Sequence, residues 1–295
     1  MHTGLVYALL AFGTWGLFPL YFRLIATVPP LEVVLHRSVW SLLLVLGVLA
    51  WQQRWAWLGE TLRQPKRVAL FAISALLLAC NWLVYVLAVQ TGHVAEASLG
   101  YFINPLVNVL LGVLVLRERL RPLQWLAVAL AACAVLWLTF EAGRLPWIAL
   151  VLACSFGIYG LLRKTAPLGA LEGLALENML LAPLAAPALL WWTFAGDGVL
   201  RHGPASQIGW MLLAGPLTAL PLLLFAGGAR RLKLATLGMV QYISPSLQLL
   251  LAVAVFKEAF DSPRLIGFVL IWTALALVSA DALGWRPFGR TQRAV

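Results

Sequence analysis

The chain has 295 residues, of which 62% are hydrophobic and 11% charged, and its mean hydropathy is +0.92. A water-soluble domain carries about 25% charged residues, so these proportions exclude a soluble globule and imply an all-α integral membrane protein. The net charge of +10 is spread through short clusters between apolar runs; that pattern orients helices in a bilayer and argues against a nucleic-acid partner.

Apolar runs able to cross about 30 Å of hydrocarbon predict ten transmembrane spans, at residues 4–22, 31–51, 68–89, 95–116, 123–140, 146–162, 172–194, 208–228, 235–256 and 264–282. No Lys or Arg precedes the first run, so a retained first span is expected in place of a cleavable signal peptide. With the amino terminus inside, the cytoplasmic segments hold Arg54, Arg63, Lys66 and Arg67, then Arg117, Arg119 and Arg121, Arg163 and Lys164, Arg230, Arg231 and Lys233, and three carboxy-terminal arginines. Only Arg23, Arg37, Arg144, Arg201, Lys257 and Arg264 fall on the other side, and this bias puts both termini in the cytoplasm. The short loops leave no soluble domain, and the lack of a GxxxxGK[ST] sequence argues against direct ATP drive.

Polar residues within the spans carry the functional signal, because a charge at the centre of a membrane helix costs about 2.5–3.5 kcal/mol on insertion scales. Trp15 in span 1 and Trp82 in span 3 are deep enough to stack on a planar substrate or to fill the core, and Gly13 and Gly16 offer close helix approach. Span 2 carries Glu32 and His36, read as a pair near the outer end, and Arg37 one turn further in. Arg37 could hold an anionic group or a carboxylate partner. Span 3 brings Asn81 and Tyr85 onto one face, with Trp82 beside them, and His93 and Glu96 follow at the outer mouth as a candidate proton relay. Span 4 aligns Tyr101, Asn104 and Asn108 in one stripe, interrupted by Pro105. Glu177 in span 7 is either a coupling carboxylate or a structural ion-pair partner. Span 9 repeats the device of span 4 with Gln241, Tyr242 and Ser244 before Pro245, then Gln248. Such stripes around a proline in matching spans point to a cavity lining; interhelical hydrogen-bond glue is the alternative. Cys80, Cys133 and Cys154 lie in apolar spans without metal-site spacing and are expected to be buried thiols; no metal or cofactor is expected.

The matching spans belong to an internal repeat. Residues 95–118 lie over residues 235–258 without a gap. Identities fall at Ala95/Ala235, Ile103/Ile243, Pro105/Pro245, Leu110/Leu250, Leu111/Leu251, Val113/Val253, Val115/Val255 and Glu118/Glu258. At the same offset Glu32 falls on Glu172 and Arg37 on Glu177, and Thr14–Phe18 resembles Ser155–Tyr159 one residue out of step. Two units of five spans, residues 1–142 and 143–295, must insert in opposite orientations because five is odd. Inverted repeats are the architecture of many secondary transporters.

The run Asn81-Trp82-Leu83-Val84-Tyr85, the run Glu96 to Leu106, Tyr159-Gly160-Leu161-Leu162-Arg163-Lys164 and Gln241-Tyr242-Ile243-Ser244-Pro245 resemble the RarD group of EamA-type transporters in the drug/metabolite transporter superfamily. The resemblance implies a bacterial inner-membrane location and a central cavity lined by spans 1, 3, 4, 6, 8 and 9 with parts of 2 and 7, which adds Tyr159 to the cavity set. It also implies small-molecule cargo (metabolites, amino-acid-like compounds or drugs such as chloramphenicol), often moved outward, with the proton as candidate coupling ion. A membrane-embedded enzyme is the runner-up, but Asp197 lies in a loop, Asp281 ends span 10 and the four His are scattered, so no catalytic constellation forms. A channel or ligand sensor is the third reading.

Overall fold

A computed structural model describes residues 2–90, 94–141, 147–255 and 262–282. Among these residues there is no strand. The helices are α1 (His2–Gly16), α2 (Phe18–Leu24), α3 (Pro30–Trp51), α4 (Ala56–Leu62), α5 (Pro65–Gln90), α6 (Val94–Leu114) and α7 (Pro122–Glu141). They continue with α8 (Trp147–Thr165), α9 (Ala170–Ala195), α10 (Val199–His202), α11 (Ala205–Ala229), α12 (Leu234–Gln241), α13 (Ile243–Ala254) and α14 (Ser262–Ala282). Seven stretches are long and apolar enough to cross a membrane: α1 with α2, α3, α5, α7, α8, α9 and α11. In α6 and α14 the apolar part is shorter, Leu99–Leu114 and Leu265–Leu277.

Prolines set several boundaries. Pro30, Pro65 and Pro122 open their helices at a position where the missing N–H is no loss. Pro19 and Pro245 lie just beyond helix breaks, at Leu17 and Tyr242, and remove the amide donors for the carbonyls of Trp15 and Gln241. Pro105 sits inside α6, which runs on uninterrupted. The two stripe-bearing segments therefore differ: one is a continuous helix and the other is divided.

The helices pack in pairs: α6 on α8, α7 on α14, α3 on α9 and α11, α1 on α11 and α13, α5 on α8 and α9, and α12 on α6. One core gathers Phe12, Leu49, Tyr159, Phe225, Leu234 and Leu237, and a second lies between α6, α7, α12 and α14 around Phe102, Ala131, Tyr242 and Ile271. Large apolar side chains such as Leu76, Leu184, Trp191 and Phe194 point outward instead, as suits a bundle whose solvent is hydrocarbon. Cys80, Cys133 and Cys154 share that outer surface. The expectation of buried thiols is thus corrected: small apolar side chains are equally at home facing lipid.

Close helix approach rests on glycine at Gly157, where a Cβ would meet Val107 at 2.6 Å, and at Gly238, where it would meet the Pro105 carbonyl oxygen at 2.6 Å and Asn108 Cβ at 2.9 Å. Gly13, expected to serve the same purpose, has nothing within 4 Å of such a Cβ. Because a backbone carbonyl cannot swing aside, Gly238→Val should destabilise the protein by about 1–3 kcal/mol, read as a lower melting temperature in detergent. Gly209→Ala, with open space around the new methyl, should leave that temperature unchanged.

Candidate substrate cavity

Residues flanking the breaks at Leu17 and Tyr242, among them Phe18, Pro19, Gln241 and Pro245, line a cavity of about 150 Å³. From the first half of the chain the wall takes Trp15, Arg37, Asn81, Tyr85, Tyr101 and Asn104; from the second it takes Gln241, Ser244 and Gln248. Apolar surface comes from Phe12, Phe18, Phe22, Trp82, Phe156 and Leu222. The rings interlock: Trp15 meets Phe156 edge-on with centroids 5.6 Å apart, and Tyr85 meets Tyr101 at 6.1 Å.

A hydrogen-bond lattice fixes the polar part. Buried Asn108 donates to Asn104 Oδ1 (3.1 Å) and Gln241 Oε1 (2.9 Å), tying α6 to α12. Gln248 donates to the Trp15 carbonyl at 3.2 Å, the group whose helical donor Pro19 removes. Asn81 donates to the Leu152 carbonyl and to Ser155 Oγ, both at 2.9 Å. Arg37 uses Nε on Thr218 Oγ1 (2.8 Å) and lies over the Trp82 ring, 4.8 Å from its centroid, and over Phe18 at 5.8 Å.

Three residues of the sequence-derived cavity set lie behind the wall. Asn108 is the lattice anchor just described. Tyr242 donates its hydroxyl to the Phe102 carbonyl (3.1 Å), and Tyr159 reaches Glu177 Oε2 at 3.5 Å. The structure does not bring Arg37 and Glu177 together. Glu177 accepts from Ser74 Oγ (2.5 Å) and pairs with Arg163 at 3.5 Å, both members of the pair being 1% exposed. Arg163, counted from sequence among the cytoplasmic basic residues, is instead a buried ion-pair partner that also donates to the Ala170 carbonyl (2.9 Å). Glu32 caps the amino end of α10 by accepting from Val199 N at 2.6 Å, and His36 accepts from Trp40 Nε1 at 2.8 Å. The Glu96 side chain and His93 lie outside the described residues. Among the described residues no three His, Cys, Asp or Glu converge as a metal site would require.

Sequence reasoning missed most of the aromatic wall, because Phe12, Phe18 and Phe22 look the same whether they face lipid or a cavity. Trp82 carried a signal through its depth in span 3, and Phe156 through its alignment near Trp15 in the repeat.

A helical bundle that is apolar outside and encloses a polar-floored cavity is a multi-pass membrane protein. Residues 2–140 match the EamA-like transporter family. The chain is similar to an uncharacterized transporter of Pseudomonas aeruginosa (48% identity, covering 98% of this chain and 97% of the relative). It is also similar to protein RarD of Escherichia coli (42%, covering 95% of each) and to a chloramphenicol-sensitive protein RarD of Pseudomonas aeruginosa (33%, covering 95% of this chain and 94% of the relative). A solved structure titled only as a protein shares the fold, with a TM-score of 0.69 at 21% identity over 95% of this chain and 98% of that one. The chain belongs to the EamA-like transporter family, among the RarD-like members of the drug/metabolite transporter superfamily, and its place is the bacterial inner membrane.

Removing one member of a buried ion pair strands the other at a cost of about 3–5 kcal/mol, whereas replacing both with apolar groups is far milder. Arg163→Met and Glu177→Met should therefore each abolish monodisperse protein on size exclusion, and the double variant should recover much of it.

Proposed function

We propose that this chain is a secondary transporter of small molecules, moving them outward by alternating access between two inverted halves, residues 1–142 and 143–295. Relatives named as transporters support the class, and the name of one of them suggests drugs such as chloramphenicol as candidate cargo beside metabolites and amino-acid-like compounds. The observation that carries the mechanism is the make-up of the cavity wall: Tyr101 and Asn104 face it from one half, and Gln241 and Ser244, 140 residues on, face it from the other.

Contacts elsewhere support the inverted arrangement of ten spans, in which α1–α2 is the repeat mate of α8, α3 of α9, α5 of α11 and α6 of α12–α13. The packing of α6 on α8 is mirrored by that of α13 on α1, and α3 on α11 by α9 on α5. Glu32, at the start of the second span, accepts from Val199 in the connection after the seventh; Glu172, at the start of the seventh, binds Arg54 in the connection after the second. The two carboxylates thus perform exchanged tasks at opposite ends of the bundle. With both termini cytoplasmic, the cytoplasmic end is stitched shut. Lys164 donates to the carbonyls of Ala229 and Leu232, Arg230 to those of Ala166 and Leu168, and Glu118 accepts from the first amides of α12 at 2.7 and 3.0 Å. Release of these contacts is the step that opens the cavity inward. Glu177 is the sequence's candidate for proton coupling, but its burial against Arg163, away from the cavity, favours a structural role.

An untargeted metabolite profile of cells and medium tests the function, comparing wild type, Asn104→Ala and empty vector. A compound class enriched in the medium with wild type alone supports export; identical profiles count against it. Asn104→Ala and Gln241→Ala should weaken substrate handling about tenfold, the scale of one lost buried hydrogen bond, at unchanged protein level. A green fluorescent protein fused after Val295 should fluoresce in cells, since both termini are cytoplasmic; a dark fusion that is active as a periplasmic phosphatase fusion would reverse the topology.

A further inference from the structure

Arg37 is a cation in the wall of a membrane cavity with no anionic partner among the described residues. Its Nε is taken by Thr218, its other two nitrogens bond to no described residue, and the described ionisable groups that act on it are the phenols of Tyr21, Tyr85 and Tyr101. Holding a charge there is expensive, and a guanidinium lying over Trp82 keeps its in-plane N–H donors for a partner at its edge. The repeat mate, Glu177, does not supply that partner, because Arg163 holds it elsewhere. No Asp or Glu stands among the described lining residues.

We propose that the cavity takes a small aromatic monocarboxylate, its carboxylate forked on Arg37 and its ring against the wall of Phe18, Trp82 and Trp15. This assignment rests on the transport reading of the same cavity and names its substrate class. The fork of guanidinium donors matches a carboxylate bidentately. A cavity of about 150 Å³ accommodates about one benzene-sized ring. An α-amino group on the substrate would find no carboxylate among the described lining residues and would sit beside a fixed positive charge, so an acid without an amine is favoured over an amino acid.

Equilibrium dialysis of labelled benzoate against the purified full chain in detergent at pH 7.5 tests the assignment, with benzamide as the uncharged isostere and phenylalanine as the zwitterion. Saturable benzoate binding should be at least about tenfold tighter than that of benzamide or phenylalanine, the scale of one charge-assisted hydrogen bond. Arg37→Gln should erase the preference and Arg37→Lys should keep part of it. Equal affinity for benzoate and benzamide in the wild type, absent benzoate binding, or benzoate affinity unchanged in Arg37→Gln would each overturn the proposal; the wild-type comparison decides even where a variant does not fold. Counterflow of the same three compounds in proteoliposomes separates the two readings. Arg37-dependent binding of benzoate without movement of any compound upholds the anion site and counts against transport, whereas movement of benzamide or phenylalanine but not benzoate upholds transport and overturns the anion site.

Discussion

A backbone carbonyl that loses its helical donor inside hydrocarbon costs several kcal/mol unless another group donates to it. Pro19 creates such a carbonyl at Trp15, and the side chain of Gln248, 233 residues away, satisfies it. A broken helix can therefore exist at this depth only if the two ends of the chain meet there. The Asn108 amide works between side chains instead, tying α6 to α12 through the side-chain oxygens of Asn104 and Gln241. Polar side chains such as Gln248 are thus first a condition for irregular backbone in the membrane. Because their remaining atoms face an enclosed space, they also make a binding surface.

The sequence carried the membrane class, the family and most of the polar residues that line the cavity. Each depends on residue type and linear spacing: the stripe Tyr101, Asn104 and Asn108 is one helix face whatever surrounds it. Rotation of one helix against another does not follow from spacing. Asn108, Tyr159 and Tyr242 hydrogen-bond behind the cavity for that reason. Arg37 and Glu177, matched by the repeat, are turned to different neighbours. Arg163 was hidden by Lys164 beside it, since a basic pair at a span end reads as a cytoplasmic anchor although Lys164 reaches the carbonyls of Ala229 and Leu232 while Arg163 turns to Glu177. The aromatic wall left almost no signal because lipid and cavity make the same demand on Phe.

The symmetry of the packing and the asymmetry of the charges divide the work. In the proposed transport cycle, paired contacts exchanged between the halves would let the bundle take two nearly equivalent states, one open to each side. Were the charges equally symmetric, Arg37 and its mate would both face the cavity. Instead one half buries its charge in an ion pair with Arg163, which stiffens α5, α8 and α9, and the other leaves a cation in the wall. On the proposed mechanism the repeat would supply the motion, and its departures at these two positions the chemistry.

Side-dependent labelling of the cavity tests this account most directly. Ser244→Cys, in a background with Cys80, Cys133 and Cys154 replaced, would be exposed to a membrane-impermeant thiol reagent in right-side-out and in inside-out vesicles. The account predicts reaction from both sides, because the same wall residue opens first to one face and then to the other. Reaction from one face only, whatever solutes are present, would contradict alternating access and leave a fixed pit in the membrane.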